Sequence, residues 1–205
     1  MKRISTDAEY LDSGKLVLDA DGIPFEPAAK TYVDQRVPID SFTGTGSPEG
    51  NIAAPIGSVY IDTAATNGAI RWIKTSGTGS AGWRVEYGDT GWRNISSLLT
   101  NGWGGSVYVR RINTSVELRV EGLTRSETSY DIMNIPAGFL PDAVSGFGFR
   151  FVLHQADSTA SQTRFRLVSN KLTTVNTSTV PGPYYGTAVW NISEAWPATL
   201  PGTPA

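Results

Sequence analysis

The sequence predicts an all-β protein whose largest part is an antiparallel, jelly-roll-like β-sandwich. Three observations carry this. Apolar and polar residues alternate over short runs, as in half-buried strands. Clusters of Gly, Asn, Pro and Ser punctuate those runs at the spacing expected of a sandwich. No strands alternate with long amphipathic helices, as a parallel α/β sheet would require. The 205 residues suffice for one medium domain or two small ones, and 40% of them are hydrophobic. That is enough apolar content for a core, so the Gly, Pro, Ser, Thr and Asn mark turns rather than disorder.

Charge and cysteine usage exclude several function classes. The formal net charge is −2 and the basic residues are scattered, so nucleic acid is not an expected partner. Cysteine is absent, which removes disulfides and thiolate metal sites. The chain shows no secretory signal near Met1 and no apolar run long enough to cross a bilayer, so membrane insertion is not expected.

Along the chain, residues 1–40 read as an arm with a short helix. The Asp21-Gly22 pair signals a turn, and Pro24 and Pro27 demote the strand after it to an edge or extended segment. Ala28–Val37 reads as a helix bounded by Pro27 and Pro38, with Ala29, Val33 and Val37 along one stripe. Such a helix is too short to stand alone and needs a partner. Residues 41–56, beginning SFTGTGSPEGN, read as a linker. Residues 57–97 read as a small β module: SVYID, an Asn67-Gly68 turn, AIRWIK, a Gly-rich loop, then short strands at Trp83–Tyr87 and Trp92–Ile95. From 98 to 205 come the strands of the sandwich. SVYVRRI (106–112) and SVELRVEGL (115–123) lead, the latter with Val116, Leu118 and Val120 on one face. FGFRFVLH (147–154), TRFRLVS (163–169), LTTV (172–175) and TAVWNI (187–192) complete it.

Catalytic signatures are weak. Gly77–Gly82 matches G-x-G-x-x-G, but a strand-like WRVEY follows where a helix N-terminus should bind pyrophosphate, so it reads as a flexible hairpin loop. His154 is the only histidine, and strand alternation puts it beside Arg150 on a wet face. Three such residues on the axis of a trimer are the one way it would hold a metal. Glu117, Glu121, Glu127, Asp131, Asp142 and Asp157 are acids without the paired spacing of a glycosidase. No catalytic residue, cofactor or metal is therefore expected. Among the aromatics, Trp72, Trp83 and Trp92 suit a thin core or a subunit interface. Tyr184, Tyr185 and Trp103 are candidates for stacking on a surface glycan.

The stretch GSVYIDTAATNGAIRWIKTSGTGSAGWRVEYGDTGWR (57–93) resembles a connector module of bacteriophage tail fibres and minor tail proteins, especially of phages of actinobacteria. AAKTYVDQRV resembles the short Lys-x-Tyr-Val-Asp segments that precede such modules. IPAGFLPD (135–142) and NISEAWP (191–197) resemble segments of C-terminal receptor-binding heads. The resemblance implies a homotrimeric virion protein, assembled in the host cytoplasm. Residues 1–40 would dock on another tail, baseplate or capsid protein, and the head would touch a host cell-wall glycan or surface protein. Ala29, Val33, Val37, Trp72, Trp83 and Trp92 would then line the trimer contact, because a module this small buries little core alone. The chain has no collagen-like or long coiled-coil shaft, so a capsid head fibre or decoration protein is the alternative; a small glycan depolymerase is the third reading.

Overall fold

Strand alternation folds the chain into an all-β structure with a sandwich-like arrangement of sheets. The computed structural model describes residues 17–18, 24–25, 40–142, 148–156, 162–175 and 182–205. It divides into two units, Met1–Ile39 and Asp40–Ala205. In the first, β1 (Val17–Leu18) and β2 (Pro24–Phe25) pair antiparallel, flanking the Asp21-Gly22 pair. The helix expected at 28–37, with Ala29, Val33 and Val37, lies outside the described residues.

The second unit holds two sheets. The smaller has the order β3 (Ser41–Gly44), β4 (Val59–Asp62), β5 (Ala69–Lys74), β6 (Trp83–Gly88). The strand at 41–44 corrects the expectation of a linker over 41–56. Ser41–Gly44 pairs in parallel with Val59–Asp62, and Phe42 packs edge-on against Trp83 with ring centroids 6.3 Å apart. Ile52 and Ala54 pack into the same core. The turn into β5 depends on Gly68, whose φ is +80°. A Cβ there would lie 2.0 Å from the Asp89 carbonyl oxygen.

The larger sheet has nine strands. One layer contains β10 (Asp131–Asn134), β13 (Lys171–Thr174), β12 (Gln162–Val168) and β11 (Phe149–Gln155). The other contains β14 (Tyr184–Asn191), β9 (Ser115–Arg125), β8 (Trp103–Ile112), β7 (Arg93–Asn94) and β15 (Thr203–Pro204). The layers are continuous through β11 and β14, which pair only at His154↔Tyr185 and Gln155↔Tyr184. β7, expected in the small module, instead joins the large sheet between β8 and β15.

Period-2 alternation explains the core. Val107 and Val109, Val116, Leu118 and Val120, Leu153, Phe165 and Leu167, and Ala188 and Trp190 all point inward and form one cluster. Burying a Val, Leu or Phe side chain contributes about 1.5–3 kcal/mol, so this cluster dominates the stability of the unit.

Asp62 and Asp89 anchor turns by carboxylate chemistry. Burial works to raise the Asp62 pKa, but backbone N–H groups of Ala65, Gly46 and Ala64 outweigh it and hold the pKa below the ordinary value. Asp89 is held low first by its side-chain bond to Arg110, against some burial, and further by the Gly91 amide. Both folded pKa values lie below the unfolded ones. Their stabilisation is therefore complete above about pH 4 and is lost as pH falls through the folded values. Asp89→Asn is expected to lower stability near neutrality by about 1 kcal/mol, the pair being about a third exposed. It should also flatten the acid limb of a urea-midpoint-versus-pH curve; an unchanged limb would refute the assignment.

Candidate functional site

The surfaces available for recognition follow from which side chains the core consumes. Trp103 is only 7% exposed and its Nε1–H donates to the Ser129 carbonyl at 3.3 Å. Tyr184 is 2% exposed and packs edge-on against Phe165 at 5.4 Å. Neither can stack on a surface glycan, which corrects the expectation for both. Tyr185, next in the strand, points the other way and is 44% exposed. Trp72 and Trp83 are buried in one chain's own core with Tyr60 and Trp196, so they do not require sister chains for cover. Trp92 is half-buried, with the Arg119 guanidinium 4.9 Å from its ring.

The G-x-G-x-x-G loop has the wrong polarity for a phosphate. Lys74, itself buried, sends Nζ into the loop and donates to the Gly79 and Ala81 carbonyls. A pyrophosphate cradle needs amide N–H groups in that position. The Gly82 and Trp83 amides are occupied instead by the Glu49 carboxylate, at 2.9 and 2.7 Å. The loop is thus pinned from both sides rather than free.

A groove of about 460 Å³ runs between the small sheet and the segment Ile192–Trp196. Three of its charged groups are already engaged. Glu49 holds the loop. The Glu194 carboxylate accepts from the Gly138 amide at 2.7 Å. Arg111 is 4% exposed and donates to the carbonyls of Asn113, Gly138, Ala195 and Glu194 at 2.8–2.9 Å. Burial pulls the Arg111 pKa down to about 10, with Glu194 opposing, so the guanidinium is still charged at neutral pH. These groups lock the fold.

The acids considered for catalysis are dispersed. Glu121 pairs with Arg119 and Asp131 with Lys171, while Asp142 accepts from Ser193. Glu117 sits across from Arg110, and Asp157 lies outside the described residues. Among the described residues no three His, Cys, Asp or Glu side chains cluster as a metal site. His154 is exposed on β11, opposite Tyr185 on one side and Gln162 on the other.

On the β8–β9–β14 layer two arginines pair with acids: Arg110 with Asp89, Arg119 with Glu121. On the β11–β12 layer Arg150 lies directly across from Arg166, and Arg164 is exposed two residues away. Residue type alone does not single out Arg164 and Arg166. Their signal was nonetheless present in TRFRLV, where alternation with Phe165 and Leu167 places Arg164 and Arg166 outward together. The exposed apolar residues Val152, Tyr185 and Val189 lie on β11 and β14. Comparison of the chain with protein-family models, curated proteins and solved structures finds no match.

Proposed function

We propose that this protein is a non-enzymatic appendage of a bacteriophage particle, a homotrimeric fibre or minor tail protein whose C-terminal β unit contacts the host surface. The observation that carries the reading is the division of the chain. A separate N-terminal unit ends at Ile39, and the β unit from Asp40 closes its core within one chain. That division leaves residues 1–39, all but the last residue of the expected arm, for docking on a virion protein and the outer strand faces for a receptor. The order of the motifs (arm segment, connector, head segment) adds sequence support. Because Trp72 and Trp83 are covered already, a three-fold contact draws on half-buried Trp92 and on exposed Ile70 and Tyr87. Tyr185 is the retained candidate for contact with a surface glycan.

Light scattering of the full chain at micromolar concentration is expected to give the mass of three chains. A single-chain mass would overturn the trimer. Reconstruction of the particle is expected to place the protein at the tail tip; density on the capsid would select the head-fibre alternative, and absence from the particle would overturn the reading.

A further inference from the structure

We propose that the outward edge of β6 accepts an extended, uncharged segment of a partner protein as an added strand, seated in the groove between that edge and Ile192–Trp196. The inference goes beyond the virion reading and does not depend on it. A strand edge carries backbone N–H and C=O groups that template another chain unless they are covered. The larger sheet blunts both of its edges. Thr100 and Asn101 donate to the Ile132 and Asp131 carbonyls of β10, and β15 contains Pro204. The edge of β6 is closed only at its two ends.

The phase of the small sheet fixes which backbone groups of β6 face outward. Lys74 spends its N–H on Ser58 and its C=O on Gly57, both at 2.9 Å, on the side of β4. Its partner on β6 is Trp83, whose backbone groups therefore point away from β5. The Trp83 N–H is met there by the Glu49 carboxylate at 2.7 Å. Past a shift in register, Gly88 faces outward too. Its N–H donates to Asn113 Oδ1 at 2.9 Å, and its C=O accepts from the Asn113 N–H at 3.0 Å. Between these closures lies Val85, two residues from Trp83 and in the same phase. Among the described residues its outward N–H and C=O have no hydrogen-bond partner, and Val85 lines the groove.

A second observation points to a missing ligand. Trp72 pairs with Val85 across the strands and lines the same groove. It is 5% exposed, and its Nε1–H is buried without an acceptor. The buried indoles of Trp83, Trp103, Trp190 and Trp196 each donate to a carbonyl. A carbonyl of the added segment is the acceptor that Trp72 lacks. The walls set the chemistry of the occupant. Of the charged groups that line the groove, Glu49, Glu194 and Arg111 are spent on the protein's own backbone, and Arg84 is exposed. An uncharged segment therefore enters without burying an unpaired charge. Ile192–Trp196 walls the far side, so the groove admits one strand and not the sheet edge of a second copy. Recognition is then by backbone pairing along β6, with side chains of the segment reaching alternate sides.

The test uses the full chain and a random heptapeptide library built from Gly, Ala, Ser, Thr, Val, Asn and Gln. Enrichment of binding peptides is expected. N-methylation of an enriched peptide at alternate residues should abolish binding in one phase and spare it in the other, because an added strand engages every second N–H. Val85→Pro removes one N–H at an edge position that tolerates proline, and should lower affinity by about tenfold or more. Val85→Thr keeps the N–H and should change little. Amide exchange at Val85 should be fast in the free chain and slow in the complex. The indole Nε1–H resonance of Trp72 should shift on binding, while those of Trp103 and Trp190 stay in place. If Val85→Pro fails to fold, the N-methylation series and the exchange of the wild type decide by themselves. The proposal is overturned if no peptide is enriched, or if binding ignores the phase of N-methylation. A Val85 amide already protected in the free chain would mean that the chain itself fills the groove, and would overturn it too. Loss of self-association in a folded Val85→Pro would assign the edge to a second copy, with the same consequence.

Discussion

Replacing Arg111 by Ala is expected to lower the melting temperature of the β unit by on the order of 10 °C. The side chain sits at the inward-facing end of β8, in phase with Val107 and Val109. Alternation therefore drives a guanidinium into the interior, and the fold surrounds it with the carbonyls of Asn113, Gly138, Ala195 and Glu194. Its guanidinium carbon lies 4.8 Å from the centroid of the Trp196 ring. Removing it leaves four carbonyl acceptors, one buried and three partly buried, without their donor and opens a void beside the ring. Losses of this kind run to about 3–5 kcal/mol, and in a unit of this size each kcal/mol moves the midpoint by about 2–4 °C. Lys is expected to recover less than half of the loss, because one ammonium cannot reproduce a planar fork aimed at carbonyls on three segments. Scanning calorimetry of the wild type, Arg111→Ala and Arg111→Lys gives the comparison. A shift under about 3 °C for Ala would mean that water replaces the guanidinium and that the knot contributes little.

Arg111 also shows where the sequence was readable and where it was not. The strands of the sandwich are legible because Val116, Leu118 and Val120 repeat with period two, and the same period picks out Phe149, Phe151 and Leu153. By that rule Arg111 belongs inside, yet residue type argues for the surface, and only tertiary carbonyls resolve the conflict. Lys74 is a second case: its burial depends on a loop that curls back to supply acceptors. The strand Ser41–Gly44 was hidden for another reason. Its parallel partner starts at Val59, and a Gly-rich polar segment carries no period of its own. For the candidate glycan contacts the signal was available: Tyr184 and Tyr185 are consecutive in a strand, so they must face opposite sides and only one can be free. The surrounding Pro and Gly residues, PGPYYG, read as a loop by composition and carry no period of their own. Trp103 follows an Asn-Gly turn yet begins β8, so its side chain falls on the core face.

Trp196→Ala is expected to uncouple the small sheet from the sandwich rather than to weaken both alike. Trp196 joins the core of the small sheet, and its Nε1–H donates to the Asn67 carbonyl at 2.9 Å, in the turn between β4 and β5. Asn67 Nδ2 returns a bond to the Pro197 carbonyl at 3.0 Å. The ring also packs so closely over Gly88 that a Cβ there would lie 2.8 Å from it. On its other side it meets Arg111, which belongs to β8. One indole thus touches the turn before β5, the end of β6 and the strand that leads the sandwich. Truncating a buried Trp costs about 3–5 kcal/mol. The four short strands left behind keep only Ala54, Tyr60, Ala69, Trp72 and Trp83 as buried core, which is marginal for independent stability. Amide hydrogen exchange should then rise across β4–β6, while β8, β9 and β14, closed around Val109, Leu118 and Trp190, keep most of their protection. Trp196→Phe retains a ring over Arg111 but loses the bond to Asn67, so its protection should fall between the two. Equal loss of protection in both sheets would mean that the unit unfolds as one body and that the C-terminal segment is a strap on the whole rather than a joint between its parts.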